Sequence, residues 1–392
     1  MKNPVANITG LGHALCHVAM LVFPVVITSV QREFSLSLTQ AAAVGTAAYM
    51  AFGLGAFPAG IMVRFLGTRT AMLLYFSGIG LGGGMIGLAT TFGMFVAGML
   101  VLGTAASIYH VAGTTMISRQ TVKTGRSFGI HGIAGSGGTA LGPLIAGLLS
   151  GWLGWRFAYL FLLLPVLCGL ILVCVSDRNV HAAEKVGPNN NFANGDMGRN
   201  WRLIFVLMMG AVIINGFIYR AAMTVLPLHL SERVSFGFLP DVTAGGLLAS
   251  LALAFGMAGM FAAGSAADKM DKFKIYALLF AVAAPALALM SFSSGTVLVL
   301  ASIGFTLFFF PSQPVENSIL GTYTPPRFTS YMFGVKFTLT FGLGSLGALT
   351  AGYLTEHRDS GSLFLLLAAA SVLSCLLSLG AILLRRQGKD EG

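Results

Sequence analysis

The sequence predicts an all-α membrane protein of twelve transmembrane helices in two six-helix bundles related by pseudo-two-fold symmetry. Three observations carry this expectation. Of 392 residues, 56% are hydrophobic and 9% charged, whereas soluble domains carry roughly a quarter charged residues. Apolar runs of about 20 residues, each long enough to cross a hydrocarbon core of about 30 Å, recur along the chain. The sequence also repeats. A shift of 205 residues places Phe128, Gly129 and Ile130 on Phe333, Gly334 and Val335, and Gly137, Leu141, Gly142, Ala146 and Gly147 on Gly342, Leu346, Gly347, Ala351 and Gly352. A shift of 204 sets Gly60 on Gly264, so each copy has room for six spans.

Taken in order, apolar runs between polar breaks place spans near residues 8–30, 40–63, 70–90, 93–118, 127–150 and 156–176. Six more follow near 203–230, 242–266, 273–292, 295–320, 328–355 and 361–384. The longest polar stretch, Asp177 to Arg202, contains Gly187, Pro188 and an Asn-rich run and reads as a flexible linker. The expected organisation is therefore an N-terminal bundle at 1–176, a cytoplasmic linker at 177–202 and a C-terminal bundle at 203–392.

Orientation follows from charge. With the N-terminus inside, cytoplasmic segments hold 17 of the 23 Lys and Arg residues, and only Arg32, Arg156, Arg233 and Arg358 fall outside. This asymmetry obeys the positive-inside rule and places both termini in the cytoplasm of a bacterial inner membrane. It also accounts for the net charge of +10 without a nucleic-acid partner, because the basic residues sit in small groups between apolar runs. No small-residue cleavage site follows the first apolar segment, which is expected to stay as a span. Cys16, Cys168, Cys174 and Cys375 lie singly inside apolar runs and read as thiols, with neither a disulfide framework nor a zinc site.

The loop after the eighth span, Gly264 to Lys274, reads GSAADKMDKFK, and its GxxxDK core resembles the cytoplasmic loop motif of the major facilitator superfamily. The resemblance extends over nearly the whole chain and implies the two-bundle fold of that family. In the motif, which Gly264 opens here, an acid at a helix end ties neighbouring helices together through dipole and basic contacts, roles that Asp268 and Lys269 fill. The first-half copy, GIMVRFLGTR, keeps Gly60, Gly67 and Arg69 but has Arg64 where the acid belongs. In the fifth span Gly138, Gly142, Pro143 and Gly147 resemble the Gly-Pro motif that the family, its antiporters especially, carries there. Tight helix packing is the alternative account of the same glycines. The stretches Ser107 to His110 (SIYH), Gly125 to Gly129 (GRSFG) and Thr324 to Arg327 (TPPR), with Gly12 and His13, resemble the fosmidomycin-resistance branch, which implies efflux of a small phosphonate drug. Gly82, Gly84 and Gly87 spell GxGxxG, but within an apolar helix and without a preceding strand they read as helix packing.

Polar groups inside spans cost several kcal/mol unless they meet a partner or a cavity, so they are the candidate site. His13 and His17 share one face of the first span; His110 with Ser107 and Thr114 lines the fourth, and His131 enters the fifth. Each imidazole either lines a cavity or simply bonds a neighbouring carbonyl. No metal is expected, since no acid or cysteine at ligand spacing joins the histidines. His131 is the repeat counterpart of Lys336. Lys336 either flanks a central cavity or snorkels to the cytoplasmic interface. The seventh span contributes Asn215, Tyr219 and Arg220, whose guanidinium fork suits a carboxylate or phosphonate. The competing account of Arg220 is an ion pair with Glu316 in the tenth span, inside the polar cluster Pro311 to Asn317 that also holds Gln313. Pro311 and Pro314 should distort that helix.

Arg220 and Lys336 against Glu316, with four histidines beside them, suggest an electropositive interior and an anionic cargo. Neither a P-loop nor an HExxH pattern occurs, and the one GxSxG spacing, GRSFG at Gly125 to Gly129, opens an apolar span without a preceding strand, so an ATP pump or a membrane enzyme lacks its chemistry and no cofactor is expected. A receptor of this build would carry a larger soluble segment than the linker. The expectation is a monomeric secondary active transporter working by alternating access on a small organic anion, proton-coupled or by exchange. Glu316, His17 and His131 are its candidate proton carriers. Proton-coupled drug efflux of the fosmidomycin-resistance type is the alternative.

Overall fold

The computed structural model describes residues 4–120, 124–176, 200–235, 237–267, 270–323 and 335–390. Regular structure among them is helical throughout: α1 (Pro4–Glu33), α2 (Leu38–Gly87), α3 (Phe92–Gln120), α4 (Thr124–Leu153), α5 (Trp155–Leu160), α6 (Leu163–Val175) and α7 (Trp201–Arg233). There follow α8 (Asp241–Ala267), α9 (Lys272–Phe292), α10 (Gly295–Phe309), α11 (Ser312–Tyr323), α12 (Leu346–His357) and α13 (Ser360–Asp390). Eleven described helical stretches are long and apolar enough to cross a membrane.

The expected count of twelve is recovered within α2. At 50 residues it would be about 75 Å long if straight, more than twice the hydrocarbon thickness. Gly67 interrupts it at φ 79°, ψ 167°, in the region open to glycine but strained for other residues. The break falls between the spans expected at 40–63 and 70–90. Ser37 starts the first of them with a capping box, its hydroxyl accepting from Gln40 N–H while the Gln40 side chain accepts from Ser37 N–H.

Two spans are broken. Trp155–Val175 is interrupted between α5 and α6, and Gly295–Leu320 between α10 and α11, where Pro311 removes a backbone donor as the sequence led one to expect. A third irregularity was not foreseen: Val335–His357 passes through a π turn at Thr338–Gly342 and a 3-10 turn at Leu343–Ser345 before α12. Large apolar side chains such as Phe57, Phe65, Leu81, Val175 and Phe292 are exposed on the helices, as lipid-facing residues must be.

The chain forms two compact units, Met1–Pro188 with Met223–Ser250, and Asn189–Ala222 with Leu251–Gly392. Relative to the halves expected from the linker, the segment Met223–Ser250 counts with the first unit. In that unit α1 and α4 meet through glycine: a Cβ on Gly138 would lie 2.3 Å from the Ala14 carbonyl oxygen, and one on Gly142 3.2 Å from Val18 Cα. Gly147 turns instead to α8, its carbonyl accepting from the Thr243 hydroxyl at 2.8 Å, and a Cβ on Gly246 would lie 2.4 Å from Pro143 O. The Gly-Pro stretch is thus a close-packed seam on two sides.

Arg69 reaches the end of α6 and donates to the carbonyls of Ser176 and Cys174, each at 3.0 Å. A cation on these terminal carbonyls offsets the helix dipole, so the first-half loop has a tie although Arg64 replaces the acid of the motif. Glu33 at the end of α1 accepts from Arg156 and from Trp155 Nε1, holding α5 to α1.

In the second unit Asp271 caps α9 by accepting from Phe273 N–H and pairs with Arg385 of α13 at 3.0 Å. The motif residues Asp268 and Lys269 lie outside the described residues, as does TPPR, while Gly264 falls within α8. Asp271, three positions on, is a tie that the motif did not flag. At Gly216 a Cβ would lie 2.3 Å from Thr340 O, so α7 and the π turn touch backbone to backbone.

Candidate functional site

Two buried polar clusters stand out, one in each unit. In the first, His13 and His17 lie one turn apart on α1, with ring centroids 4.9 Å apart and Nε2 atoms 3.2 Å apart. α3 brings His110 to 5.2 Å from the His13 ring and 5.7 Å from that of His17. α4 brings His131, stacked on His13 at 4.0 Å.

Protons in this cluster can be assigned from the partners. His13 Nδ1 lies 2.7 Å from the His131 carbonyl oxygen, and a carbonyl only accepts, so Nδ1 carries the proton and Nε2 presents its lone pair. The Tyr109 hydroxyl donates to the Thr9 carbonyl, so His131 Nδ1, 3.2 Å from that hydroxyl, is the donor to it. Gly135 makes the arrangement possible, because a Cβ there would lie 2.3 Å from Cε1 of His13. The neighbouring thiol of Cys16 points away, toward the Ala106 carbonyl.

The second cluster is an ion pair inside a span. Lys336 Nζ lies 2.9 Å from Glu316 Oε1, and both side chains are 1% exposed. Asn215 Nδ2 donates to Glu316 Oε2 at 3.0 Å and to Ser312 Oγ at 3.1 Å, and the Tyr276 hydroxyl donates to the same Oε2 at 2.9 Å. Lys336 also donates to Asn317 Oδ1 and sits 5.1 Å from the Phe337 ring centre. The carboxylate therefore has two donors on Oε2 and the Lys336 ammonium facing Oε1, an opposite charge of the kind that makes a buried carboxylate tolerable.

Several expectations change here. Lys336 is buried and paired and does not snorkel. Glu316 pairs with Lys336, so the proposed Arg220–Glu316 pair is replaced by this one. An electropositive interior counted Lys336 as an open charge, and the pair cancels it locally. Arg220 is 4% exposed, and its guanidinium carbon lies 5.4 Å from the Tyr219 ring centre. Five positions beyond Asn215, it projects about 140° around α7 from the Glu316 network. Gln313 is exposed, and Ser312 before it is the residue that meets Asn215. Sequence reasoning passed over Tyr276 and Gly135, and gave no role to Tyr109 within SIYH or to Asn317 within the polar cluster. Two tyrosines in apolar runs carried a readable signal, since a phenol OH in lipid needs a partner.

Buried ionic and imidazole clusters inside two helical units, with apolar side chains outward, define a multi-pass membrane protein with polar sites built between its spans. The chain belongs to the Major Facilitator Superfamily, whose sequence profile matches residues 9–345. It is 24% identical over 402 residues to the uncharacterized MFS-type transporter YfnC of Bacillus subtilis (strain 168), covering 95% of this chain and 91% of that one. It is 24% identical over 298 residues to the fosmidomycin resistance protein of Escherichia coli (strain K12), covering 70% and 67%. In fold it resembles the inward open xylose transporter XylE from E. coli, with a TM-score of 0.77 at 13% identity over 95% of this chain and 94% of that one.

Proposed function

We propose that this transporter carries a small organic anion, of the carboxylate or phosphonate class, by alternating access between the halves 1–176 and 203–392, with Glu316 as its proton carrier. The supporting observation is the buried Lys336–Glu316 pair. A proton arriving on Glu316 cancels the pair and leaves the ammonium of Lys336 for an incoming anion. An anion on Lys336 equally favours a proton on Glu316. By linkage each ligand promotes the other's binding to the same extent, which is the requirement for moving both in one direction.

Proteoliposomes test the coupling, with cargo first chosen by thermal-shift screening of carboxylates and phosphonates. A pH gradient, acid on the substrate side, is expected to drive accumulation in the wild type. Glu316→Gln should keep exchange of preloaded anion and lose pH-driven accumulation. Undiminished accumulation by the variant removes Glu316 from the coupling step.

Arg220 is the proposed second contact, where a planar fork matches two oxygens of the anion. Arg220→Ala is expected to lower uptake at least about tenfold, and Arg220→Lys, which keeps charge without the fork, to recover only part of it. Normal flux in Arg220→Ala would refute the assignment. Likeness to a fosmidomycin resistance protein supports drug efflux as the second reading. Efflux by antiport predicts the opposite sign: acid on the side opposite the drug drives its movement.

A further inference from the structure

The histidine cluster has no part in the ion-pair chemistry of Glu316. We propose that His13, His17 and His110 form a binding site for a borderline divalent transition cation of the zinc, cobalt or nickel type. Sequence spacing argued against a metal because it sees only neighbours along one helix. Folding adds His110 from α3, and ligand nitrogens of the three rings lie within 4.8 Å of one another.

The geometry suits a cation in three respects. Two nitrogens bound to one tetrahedral zinc at about 2.0–2.1 Å each lie about 3.3 Å apart, and Nε2 of His13 and Nε2 of His17 are separated by 3.2 Å. Next, His13 gives its Nδ1 proton to the His131 carbonyl, the outer hydrogen bond that fixes the tautomer and aims Nε2 at a metal. The His131 ring, stacked on His13 at 4.0 Å, is itself held by its hydrogen bond to the Tyr109 hydroxyl. Finally, His13 and His17 are only half-buried while Nε2 of His110 is enclosed, so water or an anionic group can complete the coordination from the side of α1. Neutral imidazoles without a carboxylate select borderline cations over calcium or magnesium, which require oxygen ligands. To bind, His17 moves its proton from Nε2 to Nδ1 through solvent, so the ligand set stays neutral and no proton is lost.

The test is cobalt and zinc titration of the purified full chain in detergent, freed of affinity tag and chelator. One equivalent of cobalt is expected to bind saturably, with visible absorption of a tetrahedral site, and zinc is expected to displace it. His13→Gln, His17→Gln and His110→Gln should each weaken binding at least about tenfold. Gly135→Ala, which pushes the His13 ring, should weaken it while leaving all ligands present. His357→Gln, at an exposed histidine, should change nothing. X-ray absorption on cobalt-loaded wild type reads the site without any variant, and imidazole scattering from at least two rings is the expected result. Absence of saturable binding, binding insensitive to both His13→Gln and His17→Gln, or a cobalt shell without imidazole would each overturn the proposal. Since the cluster and Glu316 belong to different units, loss of one function leaves the other measurable.

Discussion

Lys336→Met is expected to lower stability by about 3–5 kcal/mol, because it strands the Glu316 carboxylate in a site that is 1% exposed. The cost comes from the unpaired charge more than from the missing bond. Removing both partners in Lys336→Met with Glu316→Gln should therefore return stability to within about 1 kcal/mol of wild type, since a buried ion pair is worth little against neutral groups of similar volume. Thermal unfolding in detergent across this double-mutant cycle measures the coupling. Two single variants that each behave like wild type would mean that the pair is open to water. The Glu33–Arg156 pair provides the contrast: with side chains about one-third exposed, it is worth only ~0.2–1 kcal/mol.

Gly138→Ala should be the most damaging of three alanine substitutions on α4, at Gly137, Gly138 and Gly142. Its methyl would lie 2.3 Å from Ala14 O and 2.6 Å from Ala14 Cα, where carbon contacts are ordinarily about 3.5–4.0 Å. Both obstacles are backbone of α1, so relief requires separating two helices, at about 1–3 kcal/mol or more. His13 adjoins Ala14, so the same shift stretches the His13 contact with the His131 carbonyl and should weaken cation binding as well. Gly142→Ala, whose nearest atoms are at 3.2–3.3 Å, should cost less. Gly137→Ala meets nothing within 4 Å and should be neutral or slightly stabilising, because alanine favours helix by up to ~1 kcal/mol. Unfolding temperatures and expression levels of the three variants test the order. An equal effect at Gly137 and Gly138 would show that helix propensity, not packing, governs the seam.

These two sites show where sequence reading reaches its end. Apolar run length and the 205-residue repeat sufficed for span number and duplication, because a bilayer imposes one-dimensional rules of length and hydropathy on any chain crossing it, and the family was legible from the resemblance of short loop and Gly-Pro motifs. The break at Pro311 was equally legible, since proline acts locally. Polar residues at membrane depth could be named as candidates for the same reason. Their partners could not. Whether Glu316 meets Lys336 or Arg220, and whether His110 joins His13, depends on which faces of separate helices turn toward one another, and a shift of a single residue rotates a face by about 100°. The glycines that let α1 approach α4 and α7 approach the π turn set those rotations through contacts far apart in sequence, so the polar network was decided by tertiary packing.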